Sequence, residues 1–362
     1  MLITNLNLTN YRSYTSLDLS LSSGISIFIG KNGEGKTNIA ESILYLTFLN
    51  SHRAAGNTPL IKLGNQSAYI RTKVQYPERE ILVELEINSD KANRAKVNQN
   101  QVRSQKEIFG IVQSIYFSPE DLDIVRGDPS ERRRFIDQLL TLRSPRVAAV
   151  ITDYERAVKQ RNTLLKTRAS NDSLIPWDKQ VADFGGELIA LRLAALVELK
   201  PIFNKIYKDI SDIKPAEILY KSSIENPSIN PNENSEKIMA KLTLNRGAEI
   251  ERGLTLTGPH RDDLVLTLGD QLVKGYASHG ESWSIALSLK LATYNLLKLD
   301  GLSPILILDD VFSELDEDRR ERLSQIAQSA EQSLITVAVE NDLPKSIKGT
   351  RYLVKSGVVS KL

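Results

Sequence analysis

No stretch constrains what this 362-residue chain can fold into as strongly as residues 30–37, which read Gly30-Lys31-Asn32-Gly33-Glu34-Gly35-Lys36-Thr37. They follow the apolar run 25–29 directly and precede a helix-like run that opens at Asn38. This is a phosphate-binding loop in the context it requires, a strand before and a helix after. Gly30, Gly33 and Gly35 let consecutive backbone N–H groups point into one concavity, and the helix start adds its positive dipole end. Lys36 has the reach and charge for β- and γ-phosphates, and Thr37 the hydroxyl for a magnesium ion. With average residue usage the pattern arises by chance in about one chain in a hundred of this length. The strand and helix around it make chance rarer still, so the sequence predicts a nucleotide and Mg2+ as ligands, the nucleotide being ATP by the resemblance given below.

Composition sets limits around that core. The length exceeds one compact core and predicts two or three lobes. The chain has no cysteine, which removes disulfides, thiolate metal sites and a cysteine nucleophile, and suits a reducing cytoplasm. No basic-then-apolar leader and no run long enough to cross a bilayer is evident, so a soluble cytoplasmic protein is expected. The net charge is +2, and nucleic-acid binding would need a local patch.

Periodicity changes twice along the chain. Residues 2–21 and 69–88 alternate apolar and polar with a period near two, as half-buried strands do, with Leu6/Leu8, Leu17/Leu19/Leu21 and Ile81/Val83/Leu85/Ile87 as the apolar sets. From 128 to about 246 the pattern is helical, with Pro129 at a position that a first helical turn tolerates. Residues 222–236, rich in Ser, Asn and Pro, read as an exposed loop. The predicted organisation is an α/β fold built around the P-loop, with an N-terminal β-rich lobe at 1–127, an inserted short helical arm at 128–246 and a second lobe at 247–362. The arm lacks a sustained heptad seam and is too short for a long coiled coil.

The second half of the nucleotide chemistry lies in the last lobe. Residues 304–308, Pro-Ile-Leu-Ile-Leu, form a buried-strand run ending in Asp309-Asp310, the Walker B pattern. Asp309 would orient magnesium and Asp310 would polarise an attacking water. Two solvated acids at a strand end are the bland alternative, which the upstream glycine loop disfavours. Ser278-His279-Gly280-Glu281-Ser282 opens another helix, and a serine, a glycine and a helix start again offer a phosphate site. One chain cannot easily aim two such sites at one γ-phosphate, so this one is expected to act on a nucleotide bound by a second copy.

Seven blocks together carry a family resemblance: Asn10-Tyr11-Arg12-Ser13-Tyr14, the loop at 30–37, Ser118-Pro119-Glu120-Asp121-Leu122, Arg132-Arg133-Arg134-Phe135, the eight residues from Thr257 to Leu264 (Thr-Gly-Pro-His-Arg-Asp-Asp-Leu), Ser278-His279-Gly280-Glu281, and the nine from Leu308 to Asp316. End to end, the chain resembles the RecF family of bacterial recombination mediators. The resemblance implies an ABC-type ATPase head with weak ATPase activity, DNA binding, an ATP-dependent homodimer, and cooperation with RecR and RecO in placing RecA on gapped DNA. It makes Ser278 the signature-like serine, with Gly280 as a backbone donor in trans, and Arg12 a γ-phosphate contact. Three departures stand out. His279 and Glu281 replace the generic signature residues, no glutamine follows the strand near 111–117, and the strand near 334–339 ends in Glu340-Asn341-Asp342 without a histidine switch. Glu120 or Asp121 is either an outer-shell magnesium group or a carboxylate at a helix start.

For DNA, Lys91, Arg94, Lys96, Arg103 and Lys106 lie in a stretch with no acid between Asp90 and Glu107, interleaved with Asn and Gln that donate to phosphates. A solvated hairpin edge protected by its cations is the competing reading. Arg132, Arg133 and Arg134 form a second candidate grip. His260 reads as part of a polar network, because His52 and His279 are isolated and zinc needs more ligands. Two other functions compete with a DNA-repair mediator. A transporter-type ATPase would need a docking groove and a glutamine loop, and an SMC-like nuclease subunit would need a long coiled coil with a hinge or zinc hook.

Overall fold

The computed structural model describes residues 1–51, 53–54, 56–211 and 214–362, so His52 lies outside the described residues. The chain divides into two compact units, Met1–Glu120 with Leu297–Leu362, and the residues between.

The first unit begins with β1 (Leu2–Tyr11) and β2 (Tyr14–Ser20), then β3 (Gly24–Ile29), the loop, and α1 (Lys36–Phe48). β4 (Ser67–Gln75), β5 (Glu80–Asn88), β6 (Arg94–Val97), β7 (Asn100–Gln101) and β8 (Ser114–Phe117) follow. An antiparallel sheet takes the order β2-β1-β4-β5-β6-β7. Its alternation places Leu6, Leu8, Ile70, Val83, Leu85 and Ile87 on one buried face, in one apolar cluster with Ile39 and Ile43 of α1. Each fully buried side chain of this kind stabilises the fold by roughly 1.5–3 kcal/mol. The opposite face is left to polar residues, and the sheet follows the period-two pattern of the sequence.

The second unit holds α2 (Leu122–Arg126), α3 (Pro129–Arg143), α4 (Val147–Lys166), α5 (Asn171–Ile210), β9 (Ala216–Lys221), α6 (Pro231–Leu244), α7 (Arg246–Arg252), β10 (Asp263–Leu268), β11 (Gln271–Leu272) and α8 (His279–Leu299), whose last turn crosses the unit boundary. α5 runs for 40 residues, about 60 Å at 1.5 Å per residue, and packs along α4 and α6.

Two expectations change here. The region 128–246 is not helical throughout, because β9 pairs antiparallel with β10, Ile218 opposite Leu266. Six residues of alternating pattern were obscured by the long helix before them. The loop expected at 222–236 ends early, since Asn230 accepts from the Asn232 N–H as an N-cap and Pro231 starts α6; proline reads as a breaker but suits a first helical position. β9 supplies the partner of β10, so the β10–β11 pair groups with the helices in the second compact unit.

The chain then returns to the first unit with β12 (Ile305–Asp309), α9 (Glu317–Ser329), β13 (Gln332–Val337), β14 (Thr350–Lys355) and β15 (Val358–Lys361). The second sheet takes the order β15-β14-β3-β13-β12-β8, parallel except for β15. Its central strands are buried on both faces, hence the unbroken apolar runs in β12 and β13. The glycine loop after β3 and the acids ending β12 therefore emerge at the same carboxyl edge of a parallel sheet, where ligands bind in such folds.

Candidate nucleotide site

The loop backbone is shaped by two glycines at positive φ, Gly33 at 87° and Gly35 at 112°. At Gly35 a Cβ would also lie 2.9 Å from both the Ser13 and Tyr14 hydroxyls, so that position excludes other residues twice. Gly30 is required for a different reason, since a Cβ there would come within 2.2 Å of the Val354 carbonyl oxygen. Two hairpin turns brace the loop. From the β1–β2 turn, Ser13 Oγ accepts from Asn38 Nδ2 at 2.9 Å and the Tyr14 hydroxyl donates to the Gly35 carbonyl at 3.1 Å. From the β14–β15 turn, the Ser356 N–H donates to the Glu34 carboxylate.

Lys36 is 3% exposed, and its Nζ donates to the Gly30 carbonyl at 2.7 Å while lying 3.8 Å from Asp310 Oδ2. Arg12, in left-handed backbone at φ 51°, donates to both Glu41 oxygens at 2.8 and 2.5 Å and to the Pro59 carbonyl at 2.9 Å. Its guanidinium is thus fixed to α1, the helix that the loop opens.

The Walker B acids sit beside the loop. Thr37 Oγ1 donates to Asp309 Oδ1 at 3.2 Å, joining residues 272 positions apart. Asp309 also accepts from the Thr336 hydroxyl at 2.5 Å and, on Oδ2, from the Tyr116 hydroxyl at 2.6 Å. Asp310 has φ 52°, a region that only Asp, Asn and Gly enter readily. Its N–H donates to Thr336 Oγ1 at 3.1 Å. Burial raises the Asp310 carboxyl above the usual aspartate value, Lys36 opposes this, and Asp309 and Asp342 add to it. Asp342 belongs to the 3-10 turn Glu340–Asp342 that follows β13, the place where the sequence showed no histidine. Neither Tyr116 nor Thr336 was found by sequence reasoning, and no motif marks them.

In the second unit, Ser278 is exposed and forms a reciprocal cap on α8, its hydroxyl accepting from the Glu281 N–H at 3.2 Å and its N–H donating to the Glu281 carboxylate at 2.8 Å. Those bonds from Ser278 hold the Glu281 carboxyl below its ordinary value. Glu281, a departure from the generic signature, thereby becomes the second half of a capping box, and Gly280 follows Ser278 within the same turn.

The arginines at 132–134 do not offer a phosphate grip. Arg132 makes two bonds to Asp263 at 2.7 and 3.0 Å, Arg133 donates to the Asp262 carbonyl at 2.9 Å, and Arg134 pairs with Glu131. Arg132 and Arg133 fasten α3 to the start of β10, and the Arg134 pair lies within α3. The block at 257–264 is a buried polar network. His260 Nδ1 pairs with the Tyr154 hydroxyl at 2.5 Å, Nε2 with the Thr255 carbonyl at 3.1 Å, and burial pushes the imidazole down to about 4, which keeps it neutral near pH 7. Asp262 accepts from the Tyr220 hydroxyl and the Ser223 N–H, each at 2.6 Å. Nearby, wholly buried Arg161 binds Asp178, Thr255 and Glu249. Glu120 pairs with Arg53 at 3.6 Å and Asp121 with Lys290 at 3.0 Å, so each carboxylate has a cationic partner in its own unit.

Of the candidate DNA patch, Arg94 and Lys96 lie on β6, Lys91 precedes it, Arg103 follows β7 and Lys106 sits in the 3-10 turn Gln105–Ile108; all five are exposed, at the edge of the antiparallel sheet. Lys91, Arg94 and Arg103 line a cleft of about 370 Å³. The sheet register adds what the sequence concealed: Glu84 stands opposite Lys96 and Glu86 opposite Arg94. Cross-strand acids dilute the positive field at those two positions.

No described helix is long and apolar enough to cross a membrane. Residues 2–355 match the family described as RecF/RecN/SMC N terminal domain. A Streptomyces avermitilis protein named DNA replication and repair protein RecF is 47% identical over 373 residues, covering all of both chains. A Frankia alni protein of the same name is 45% identical over 374 residues, covering 99% of each. Among solved structures, that of the recombination mediator protein RecF-ATP in the RecFOR pathway aligns with a TM-score of 0.91 at 29% identity, covering 99% of this chain and 97% of that one. An SMC head bound to the C-terminal winged-helix domain of ScpA reaches 0.60 at 16% identity over 100% of this chain and 97% of that one, a likeness of fold alone.

Proposed function

This chain belongs to the RecF family of DNA replication and repair proteins, has the ABC-type ATPase-head fold that RecF shares with SMC heads, and from that premise we propose that it is an ATP-dependent DNA-binding protein of recombinational repair and replication-fork maintenance. In this reading it acts in the cytoplasm, closes as a homodimer on gapped duplex or single-/double-strand junctions, and cooperates with RecR and RecO in loading RecA, which supports SOS induction. ATP hydrolysis is weak, DNA-stimulated, and serves to reopen the dimer. The observation that carries the reading is the hydroxyl of Thr37 resting on Asp309 at 3.2 Å, because it joins the phosphate loop to the Walker B acid in one preorganised site.

The residues fit nucleotide and Mg2+. Backbone N–H groups from Gly30, Lys31, Asn32, Gly33, Glu34, Gly35, Lys36, Thr37 and Asn38 would cradle the phosphates, and Lys36 would bind the β/γ oxygens. Thr37 and Asp309 would hold magnesium, which neutralises charge developing on the phosphates. Asp310 would orient the attacking water; Ser278 and Gly280 would meet the γ-phosphate held by the opposite protomer. Arg12, tied to α1 through Glu41, would sense the γ-phosphate and report it to the DNA-binding face.

The direct test is the oligomeric state by light scattering with ATP, with ADP, and with ATP plus gapped duplex DNA. A dimer is expected with ATP only, strengthened by DNA; a monomer under all three conditions would overturn the reading.

DNA binding is proposed at Lys91, Arg94, Lys96, Arg103 and Lys106. If they touch backbone phosphate, neutralising Arg94 and Lys96 together should weaken binding alike on all sequences and lower the salt slope by about one unit for each phosphate no longer neutralised. Because Glu84 and Glu86 face those two, a Lys91/Arg103 double neutralisation should have the larger effect. Equal slopes in both double mutants and the parent would remove DNA from this surface.

A further inference from the structure

The residue Asp309 is 4% exposed, and both its oxygens are held by hydroxyls. Only Thr37 among the three donors belongs to a nucleotide motif. The other two come from the strands on either side of β12. Tyr116 lies on β8, where it stands opposite Ile307, and donates to Oδ2 at 2.6 Å; Thr336 lies on β13 directly opposite Asp309 and donates to Oδ1 at 2.5 Å. Tyr116 is itself 6% exposed and Thr336 1%, so neither bond competes with bulk water. A carboxylate bonded from both flanks cannot turn without losing a charge-assisted bond. The Thr336 hydroxyl in addition accepts from the Asp310 N–H at 3.1 Å, so one side chain fixes the first acid and the backbone of the second.

We propose that Tyr116 and Thr336 are positioning residues, which clamp the Asp309 carboxylate in the orientation that receives a nucleotide-bound magnesium ion and thereby set the metal affinity of the site. The inference rests on the reading of Asp309 as the metal-facing acid. A buried carboxylate needs hydrogen bonds in any fold, and mere satisfaction of Asp309 would cost stability alone when a donor is removed. A clamp has a second consequence. Once freed on one side, the carboxylate samples orientations that do not face the metal, and groups that orient a metal ligand typically change metal affinity by about 10- to 100-fold when removed.

The experiment titrates Mg2+ against binding of a fluorescent ATP analogue, read by anisotropy, with a parallel titration of the analogue in EDTA. Tyr116→Phe removes one oxygen and keeps the ring. It is expected to raise the half-saturating Mg2+ concentration about tenfold or more and to leave the EDTA affinity at the parental value. Thr336→Val should shift the Mg2+ midpoint in the same direction, and Thr336→Ser, which keeps the hydroxyl, should restore it. That pair carries the test if Tyr116→Phe proves unfolded by circular dichroism. A Mg2+-dependent parent with unshifted midpoints in the folded variants overturns the inference alone. A parent whose nucleotide binding ignores Mg2+ overturns the metal-site reading and the inference with it.

Discussion

Lys36→Met is expected to remove tight ATP binding, weakening it by at least about a hundredfold while the protein stays folded. The magnitude follows from the interactions removed. A charge-assisted bond to phosphate contributes roughly 1.5–3 kcal/mol, and in the proposed site the Lys36 ammonium would reach two phosphate groups, so the combined loss would exceed the roughly 2.7 kcal/mol that a hundredfold represents. Arg12, which would sense the γ-phosphate, is not free to take over the place of Lys36. It is committed to Glu41 and Pro59. The local fold should tolerate the change, because methionine fills much of the channel that the lysine stem occupies, and the loop shape depends on Gly33, Gly35 and the two bracing turns. Isothermal titration with ATP, alongside a thermal melt, separates the two effects. Parental affinity in a folded Lys36→Met protein would remove nucleotide binding at this loop.

What could be read from the chain and what could not divides along a physical line. The loop, the Walker B acids and the period-two strands were legible because each is encoded by neighbours in sequence: spacing of glycines, a run of apolar residues, alternation. The fold class followed from them. Partners supplied across sheets were invisible. Tyr116 and Thr336 reach Asp309 from 193 and 27 positions away, and only the strand order β13-β12-β8 brings them together. The same cause misdirected the reading of Arg132, whose acid partner is 131 positions away on β10. It also hid that Glu84 and Glu86, outside the acid-free stretch in sequence, stand opposite Lys96 and Arg94 across the sheet. Ser278 was identified as a helix-start serine, and it is the bond from its N–H to the Glu281 carboxylate that gives a glutamate a role at that position.

Mixing Ser278→Arg with Asp310→Asn should restore what each variant lacks alone. Ser278→Arg places bulk and charge at the proposed dimer seam. Ser278 is exposed, and removing its hydroxyl cap costs about 1 kcal/mol, so this variant should fold and bind ATP through its own intact loop as a monomer. Asp310→Asn should behave in the opposite way. Asparagine accepts the φ of 52° at that position, the backbone bond to Thr336 survives, and without a carboxylate to orient water the ATP-bound dimer should persist with hydrolysis reduced by at least about a hundredfold. In a mixed dimer the two sites differ. One combines the loop and Asp310 of the Ser278→Arg chain with Ser278 of the Asp310→Asn chain and contains neither lesion; the other contains both. Two-fold symmetry of the parental dimer makes this partition unavoidable. The mixture should therefore form ATP-dependent dimers and recover hydrolysis at up to about half of the sites, read by phosphate release against the fraction of heterodimer. Full ATP-dependent dimerisation by Ser278→Arg alone, or parental hydrolysis by Asp310→Asn alone, would exclude a shared composite site. Absence of recovery in a mixture that does form heterodimers would place Ser278 in the same protomer's site as Asp310.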